Sequence, residues 1–150
     1  MQPNIELYYN EDSTELHLPG YFNESLDNTT FPSTLKSISF GLEFNRPLHN
    51  IKFPPNLESI KLGAFYNKSL SNIKFPPSLK HLDIGYSYQQ ILDNLPNTIT
   101  ILKLGPALTD IINLPSSLYQ IIIRGEHLIN SIINKIPQTC TIIIDNHNFI

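Results

Sequence analysis

Residues 31–52 read FPSTLKSISFGLEFNRPLHNIK, and residues 53–74 read FPPNLESIKLGAFYNKSLSNIK. The two segments place apolar residues at the same spacing, and the pattern continues outward from them. Each unit starts with an apolar residue followed by proline, and these pairs recur at steps of 22, 22, 20, 19 and 22 residues from Phe31 to Ile136. A unit this short cannot bury an apolar face alone, so consecutive units must stack and share a core. The period therefore predicts a solenoid.

The columns of the repeat indicate what each unit contributes. With the residue before each proline counted as position 0, position 7 is apolar throughout: Ile38, Ile60, Leu82, Leu102, Ile121 and Ile143. Positions 4, 7 and 9 have the L-x-x-L-x-L spacing of a leucine-rich-repeat strand, whose side chains alternate between two faces. We therefore expect a leucine-rich-repeat-like, mainly β, right-handed curved solenoid. A parallel sheet would form its concave side, turns or short extended or 3-10 segments its convex side, and there would be little α-helix.

The repeat also divides the chain. Residues 1–150 are expected to form a single repeat domain, with an N-terminal cap at 1–8 that could add a strand through Ile5, Leu7 and Tyr9, and a degenerate repeat at 9–30. The regular repeats are 31–52, 53–74, 75–94, 95–113 and 114–135, followed by a partial repeat at 136–150. End units of a solenoid are expected to be atypical because they have a neighbour on one side only.

Three further columns have a structural explanation. Glycine closes each strand at Gly41, Gly63, Gly85 and Gly105, which suits a positive φ or a close approach of the next coil. Polar residues at position 3, such as Thr34 and Ser78, are expected to satisfy the local turn. The amides at position 14 are expected to point inward and bond backbone groups of the next coil: Asn23, Asn45, Asn67 and Gln89.

Composition excludes several classes of protein. The net charge is only −3 and the lysines are scattered, so no electrostatic footprint for nucleic acid is present. The apolar runs are far too short to cross a bilayer, and the N-terminus lacks the pattern of a signal peptide. The single cysteine, Cys140, permits no internal disulfide and lies in the apolar position 4, where we expect a buried, inert thiol. These features predict an intracellular protein.

The combination of a 22-residue period, x-Pro-x-Ser-Leu before the strand, glycine after it and Phe-Asn-x-x-Leu/Ile before the next x-Pro resembles the FNIP repeat, a branch of the leucine-rich-repeat class. The resemblance covers residues 9–150 and is strongest in the two segments quoted above. Such repeats are abundant in social amoebae and in giant viruses of amoebae. The resemblance implies an interaction scaffold, in the host cytoplasm if the protein is viral, and it supplies no catalytic residues.

A protein partner of unknown identity is expected on the concave side, where positions 6 and 8 face outward. The candidate residues on this face are Glu15, His17, Lys61, His81, Asp83, Ile101, Lys103, Ile122, Ile142 and Ile144. The isoleucines would form an apolar strip that docks a partner or a second copy of the chain. Alternatively, the C-terminal units have drifted, a terminal tail covers the strip, or the last strands are shifted by one residue, since Thr141–Asp145 fits either register.

Catalysis is not expected. His81, Asp83 and the neighbouring lysines superficially resemble an acid/base cluster, but an open sheet is a poor place to exclude water. Asp145 and His147 lack a second pair of ligands for a metal, and we expect no metal and no cofactor. The leading hypothesis is a non-enzymatic interaction scaffold. The alternative is a self-assembling protein that forms a homo-oligomer through its C-terminal edge strand.

Overall fold

The computed structural model describes residues 3–108, 111, 113–125, 132 and 135–145. Its main feature is one parallel sheet whose seven strands follow chain order. The strands are β1 (Glu15–His17), β2 (Ser37–Ser39), β3 (Ser59–Lys61), β4 (His81–Asp83), β5 (Ile101–Leu104), β6 (Gln120–Arg124) and β7 (Thr141–Asp145). Each repeat contributes one strand, and the expected mainly β, leucine-rich-repeat-like solenoid is confirmed.

The core lies between the sheet and the opposite wall of the coils. Position 7 of each repeat from Ile38 to Ile121 is buried, and on the opposite wall so are Phe44 and Leu48. Aromatic rings stack along this wall from coil to coil. The centroid distance is 6.3 Å for each of the pairs Phe22–Phe44, Phe44–Tyr66 and Tyr66–Tyr88. The position-13 column is therefore a continuous aromatic ladder that joins four coils.

The amide column forms the expected ladder between coils. The side-chain oxygens of Asn23, Asn45 and Asn67 accept hydrogen bonds from the backbone N–H groups of Asn45, Asn67 and Gln89, at 2.9 to 3.0 Å. The expected inward direction is wrong, because these side chains are half-buried or exposed. They run along the surface parallel to the stacking direction, where each bond fixes the spacing of two coils.

The polar residues at position 3 also act between coils, whereas we expected them to satisfy local turns. Thr34 donates its hydroxyl to the carbonyl of Ser13 at 3.0 Å, and Ser117 donates to the carbonyl of Ile99 at 2.6 Å. Asp12, at position 3 of the degenerate repeat, is an exception, because its carboxylate accepts hydrogen bonds locally from Thr14. This column therefore links neighbouring coils.

The glycines after the strands are required by close packing. A Cβ atom on Gly63 would lie 2.1 Å from the carbonyl oxygen of Gly41, and one on Gly105 would lie 2.1 Å from that of Gly85. The glycines of this column are therefore required by the close approach of the preceding coil and not by a positive φ. Among the glycines in the described ranges, a positive φ occurs at Gly125, which is 99°.

The N-terminal cap differs from the expected strand. Residues Glu6–Tyr8 form a 3-10 turn, Ile5 is buried under it, and Leu7 is exposed. Tyr9 makes an isolated antiparallel bridge with Leu16. The alternating apolar pattern of residues 5–9 therefore does not reflect strand geometry, since Ile5 and Tyr9 reach the core from either end of a turn.

Candidate interaction surface

The candidate surface is the outer sheet face, which we define as the outward side chains of β1–β7. The register places two rows on this face. The first row is Glu15, Ser37, Ser59, His81, Ile101, Gln120 and Thr141, and the second is His17, Ser39, Lys61, Asp83, Lys103, Ile122 and Ile143. The face is therefore predominantly polar at the N-terminal end and becomes more apolar toward β7.

The N-terminal part of this face is open to solvent. Glu15, His17, Lys61 and His81 are exposed, and the serines between them are half-buried. Glu15 and His17 lie 3.0 Å apart on the same strand. Because both side chains of this pair are exposed, the interaction contributes little to stability. These side chains can exchange their contacts with water for contacts with a partner at low cost.

The middle of the face is occupied by an internal ion pair. Both oxygens of Asp83 accept hydrogen bonds from the guanidinium of Arg124, at 2.8 and 2.9 Å, and Arg124 also donates to the carbonyl of Ile84. The guanidinium carbon lies 4.8 Å from the centre of the Tyr86 ring. Arg124 is only 6% exposed. Asp83 is therefore engaged within the molecule, which removes it from a simple acid/base cluster with His81.

Arg124 is not among the candidate residues that the sequence predicted. Arg124 follows Ile123, which pairs with Leu104, so it occupies the strand-end position that Gly105 holds in the preceding coil. Its side chain spans from β6 to β4, and Gly105 has no side chain to obstruct it. The displacement of glycine by one residue, to Gly125, is the signal in the sequence that marks this position.

Lys103 is also paired inside the molecule. Its ammonium group lies 3.4 Å from a carboxylate oxygen of Asp145, and both side chains are largely buried. The two ion pairs, Lys103 with Asp145 and Arg124 with Asp83, place two cations and two anions across β4–β7. The charges balance, so the C-terminal half of the face offers little net attraction to a charged ligand.

The predicted apolar strip is only partly correct. The register pairs Ile121 with Ile142 and Ile123 with Ile144, which places Ile142 and Ile144 on the core side of β7. The outward position that we expected for them belongs to Ile143, beside the half-buried Ile122. The shift begins at Thr141, which lies at position 5 of its repeat but pairs with Gln120 at position 6, whereas the preceding strands pair position 6 with position 6. The sequence left two registers open, and this is the shifted one.

A second exposed feature lies at the edge where the strands end. Tyr21 is 71% exposed, Leu42 52% and Phe65 53%, and they occupy positions 11 or 12 of three consecutive coils. The coils are joined there by hydrogen bonds from Glu43 N to Gly20 O and from Phe65 N to Leu42 O. We call Tyr21, Leu42 and Phe65 the exit ridge. The exit ridge was not predicted from the sequence because its three residues do not share one column.

In the described part of the chain, the geometry favours neither a nucleophile at Cys140 nor a small-molecule site at the N-terminal turn. Cys140 is half-buried, not fully buried as expected, and burial raises the pKa of its thiol, which disfavours the nucleophilic thiolate. A cleft of about 250 Å³ lies between the N-terminal turn and residues 28–30, below the size usual for small-molecule sites. Within the described residues no group of three metal-binding side chains occurs, and His147 lies outside them.

Comparison with known proteins identifies the family. The FNIP Repeat profile matches residues 22–65, 44–87 and 66–107, which together cover more than half of the chain. The chain therefore belongs to the FNIP repeat family, as its sequence pattern indicated. The three matches follow the aromatic ladder and the amide ladder, so the family pattern and the coil-to-coil contacts coincide.

A solved structure shares the architecture. The chain is similar to CroV588 of the giant virus CroV, described as a novel circular LRR protein structure, with 26% identity and a TM-score of 0.72. The match covers 89% of this chain and 20% of that protein, so the chain spans about a fifth of the length of its structural neighbour. No curated protein matches the chain. In the described part of the chain, no helix is long and apolar enough to span a membrane.

Proposed function

We propose that the chain is a protein-recognition module whose binding site combines the N-terminal part of the outer sheet face with the exit ridge. The fold class suggests a protein-interaction scaffold. The observation that carries the finer proposal is the exposure of Tyr21, Leu42 and Phe65 on adjacent coils. Large aromatic and apolar side chains are the usual anchors of protein interfaces, and a polar surface beside them supplies hydrogen bonds.

The partner chemistry follows from these two parts. The serines, Lys61 and His81 present neutral and basic donors, whereas the exit ridge presents aromatic and aliphatic side chains. A polypeptide with apolar side chains for the exit ridge, and with hydrogen-bond acceptors beside them for the polar donors, fits both parts of the site. The C-terminal half of the face is less suitable, because Asp83 and Lys103 already have partners within the molecule.

The proposal is tested by selecting peptides from a displayed random library against the intact chain. We expect selected peptides to lose about tenfold in affinity for the Phe65→Ser variant, since truncating an interface anchor typically costs more than about 1 kcal/mol. The Lys61→Glu variant should also bind more weakly, in proportion to the acidic content of the peptide.

The matched control is Ile91→Ser. Ile91 is as exposed as Phe65 but precedes buried Leu92 on the opposite wall of the coil. Its substitution should leave peptide affinity unchanged. Selected peptides that bind equally well to the Phe65 and Lys61 variants, or a library that yields no binders, would contradict the proposed site.

A further inference from the structure

The two ends of the solenoid are closed to different degrees. At the N-terminal end, Tyr9 bridges Leu16 of β1, and Asn10 exchanges bonds with Glu15: its N–H donates to the Glu15 carbonyl at 3.0 Å, while its side-chain oxygen accepts the Glu15 N–H at 2.8 Å. Ile5 is buried beneath the turn. The free edge of β1 is therefore already satisfied by the chain's own residues.

At the β7 end, the described residues do not cover the core in the same way. Ile142 and Ile144 lie in the core columns, yet Ile142 is half-buried and Ile144 is 40% exposed, whereas their partners in β6, Ile121 and Ile123, are fully buried. Among the described residues β7 is the last strand of the sheet. Within the described part of the chain, the core thus ends in apolar side chains without a counterpart of the N-terminal turn.

The backbone of β7 has a definite donor pattern at this edge. The Thr141 N–H points to β6, where it bonds the Tyr119 carbonyl at 2.7 Å. Because backbone groups alternate in direction along a strand, the N–H and C=O groups of Ile142 and Ile144 point away from β6. Among the described residues none is bonded to those groups.

The sequence of β7 matches itself when a second copy is reversed about Ile143. In that antiparallel register Ile142 lies opposite the partner's Ile144, and the outward backbone groups of this pair can exchange two hydrogen bonds. Ile143 then lies opposite its own counterpart on the outer sheet face, and Thr141 lies opposite the partner's Asp145. All four half-exposed core isoleucines would be covered, which favours association.

We propose that β7 pairs antiparallel with β7 of a second copy, forming a two-fold dimer centred on Ile143. The arrangement closes because a two-fold interface uses the same patch on both subunits, and the capped β1 edge prevents head-to-tail growth. This inference is independent of the peptide-binding site: β7 lies at the end of the sheet opposite the exit ridge, so either proposal can fail alone.

The oligomeric state of the 150-residue chain tests the proposal by size-exclusion chromatography with light scattering. At micromolar concentration we expect twice the mass of one chain. The Ile143→Lys variant should be monomeric, because it places two like charges directly opposite each other. Ile91→Lys, a matched exposed isoleucine outside the interface, should remain dimeric, and circular dichroism should show both variants folded.

A cross-linking measurement tests the register and does not depend on the lysine variant folding. In a Cys140→Ser background, Ile143→Cys should form an intermolecular disulfide on mild oxidation, since opposed non-hydrogen-bonded residues lie about 4.5 Å apart. The Ile144→Cys variant, whose counterpart is displaced along the strand, should cross-link at least fivefold less. A monomeric parent chain, equal cross-linking of both variants, or a series of higher oligomers would overturn the proposal.

Discussion

At the scale of the residue, the aromatic ladder contains a polar atom that the core does not accommodate. Tyr66 is fully buried, and its hydroxyl has no hydrogen-bond partner within the described residues. Burial accordingly raises the pKa of Tyr66. The two preceding members of the ladder, Phe22 and Phe44, have no such group, so the hydroxyl is not needed for stacking.

Tyr66→Phe should therefore increase the free energy of unfolding by about 1 kcal/mol, because a buried unsatisfied hydroxyl carries a desolvation cost. Urea denaturation followed by circular dichroism measures the change. The converse substitution, Phe44→Tyr, adds a hydroxyl to the same ladder and should destabilise. Destabilisation by Tyr66→Phe would show that the hydroxyl has a partner in solution.

The Arg124–Asp83 pair gives a second prediction at this scale. Asp83→Asn should lower the free energy of unfolding by about 3 kcal/mol, because it removes the carboxylate that accepts two hydrogen bonds from a buried guanidinium. Replacing both residues, Asp83→Leu with Arg124→Met, should restore most of that loss. Glu58→Gln, in the exposed pair with Lys80, is the control and should cost less than about 1 kcal/mol. Equal effects of Asp83→Asn and Glu58→Gln would contradict this account.

At the scale of the element, the residue that follows the strand must be glycine where the preceding coil lies too close for a Cβ atom. Gly63→Ala should destabilise by about 3 kcal/mol, since its Cβ would overlap the Gly41 carbonyl and force the coils apart. Gly20→Ala is a close control, because its Cβ would meet only the Leu42 side chain at 3.8 Å. Thermal unfolding of both variants decides the point: similar melting temperatures would mean that the coils can separate without cost.

The strands contain both the positions whose burial the sequence predicts best and those whose burial it does not predict. Positions 7 and 9 were predictable for β1–β4 because apolar residues alternate with polar ones there, and for β5 and β6 because the repeat spacing after the proline continues unchanged. In β7 three consecutive isoleucines satisfy either face, so the pattern contains no information on register. The register followed from the pairing of Ile121 with Ile142 and of Ile123 with Ile144, which are contacts between residues of different coils.

At the scale of the whole molecule, stability should vary along the solenoid, because each coil contacts mainly its neighbours. Hydrogen exchange should be slowest in β3 and β4, which lie near the middle of the sheet. It should be fastest in β7, whose core side chains are half-exposed. Exchange in β7 should slow as protein concentration rises if the dimer forms. Uniform protection from β1 to β7 would contradict this gradient.

The sequence by itself determined the solenoid, the position of each coil and most of the buried columns, because a 22-residue period fixes local alternation and stacking together. It also indicated the amide ladder. Only the tertiary structure decided the ion pair from Arg124 to Asp83, the exit ridge and the register of β7. The physical reason is that these features depend on contacts between residues of different coils, which form only when the coils are stacked. The repeat pattern, in contrast, reflects the residues that each coil requires at its own positions.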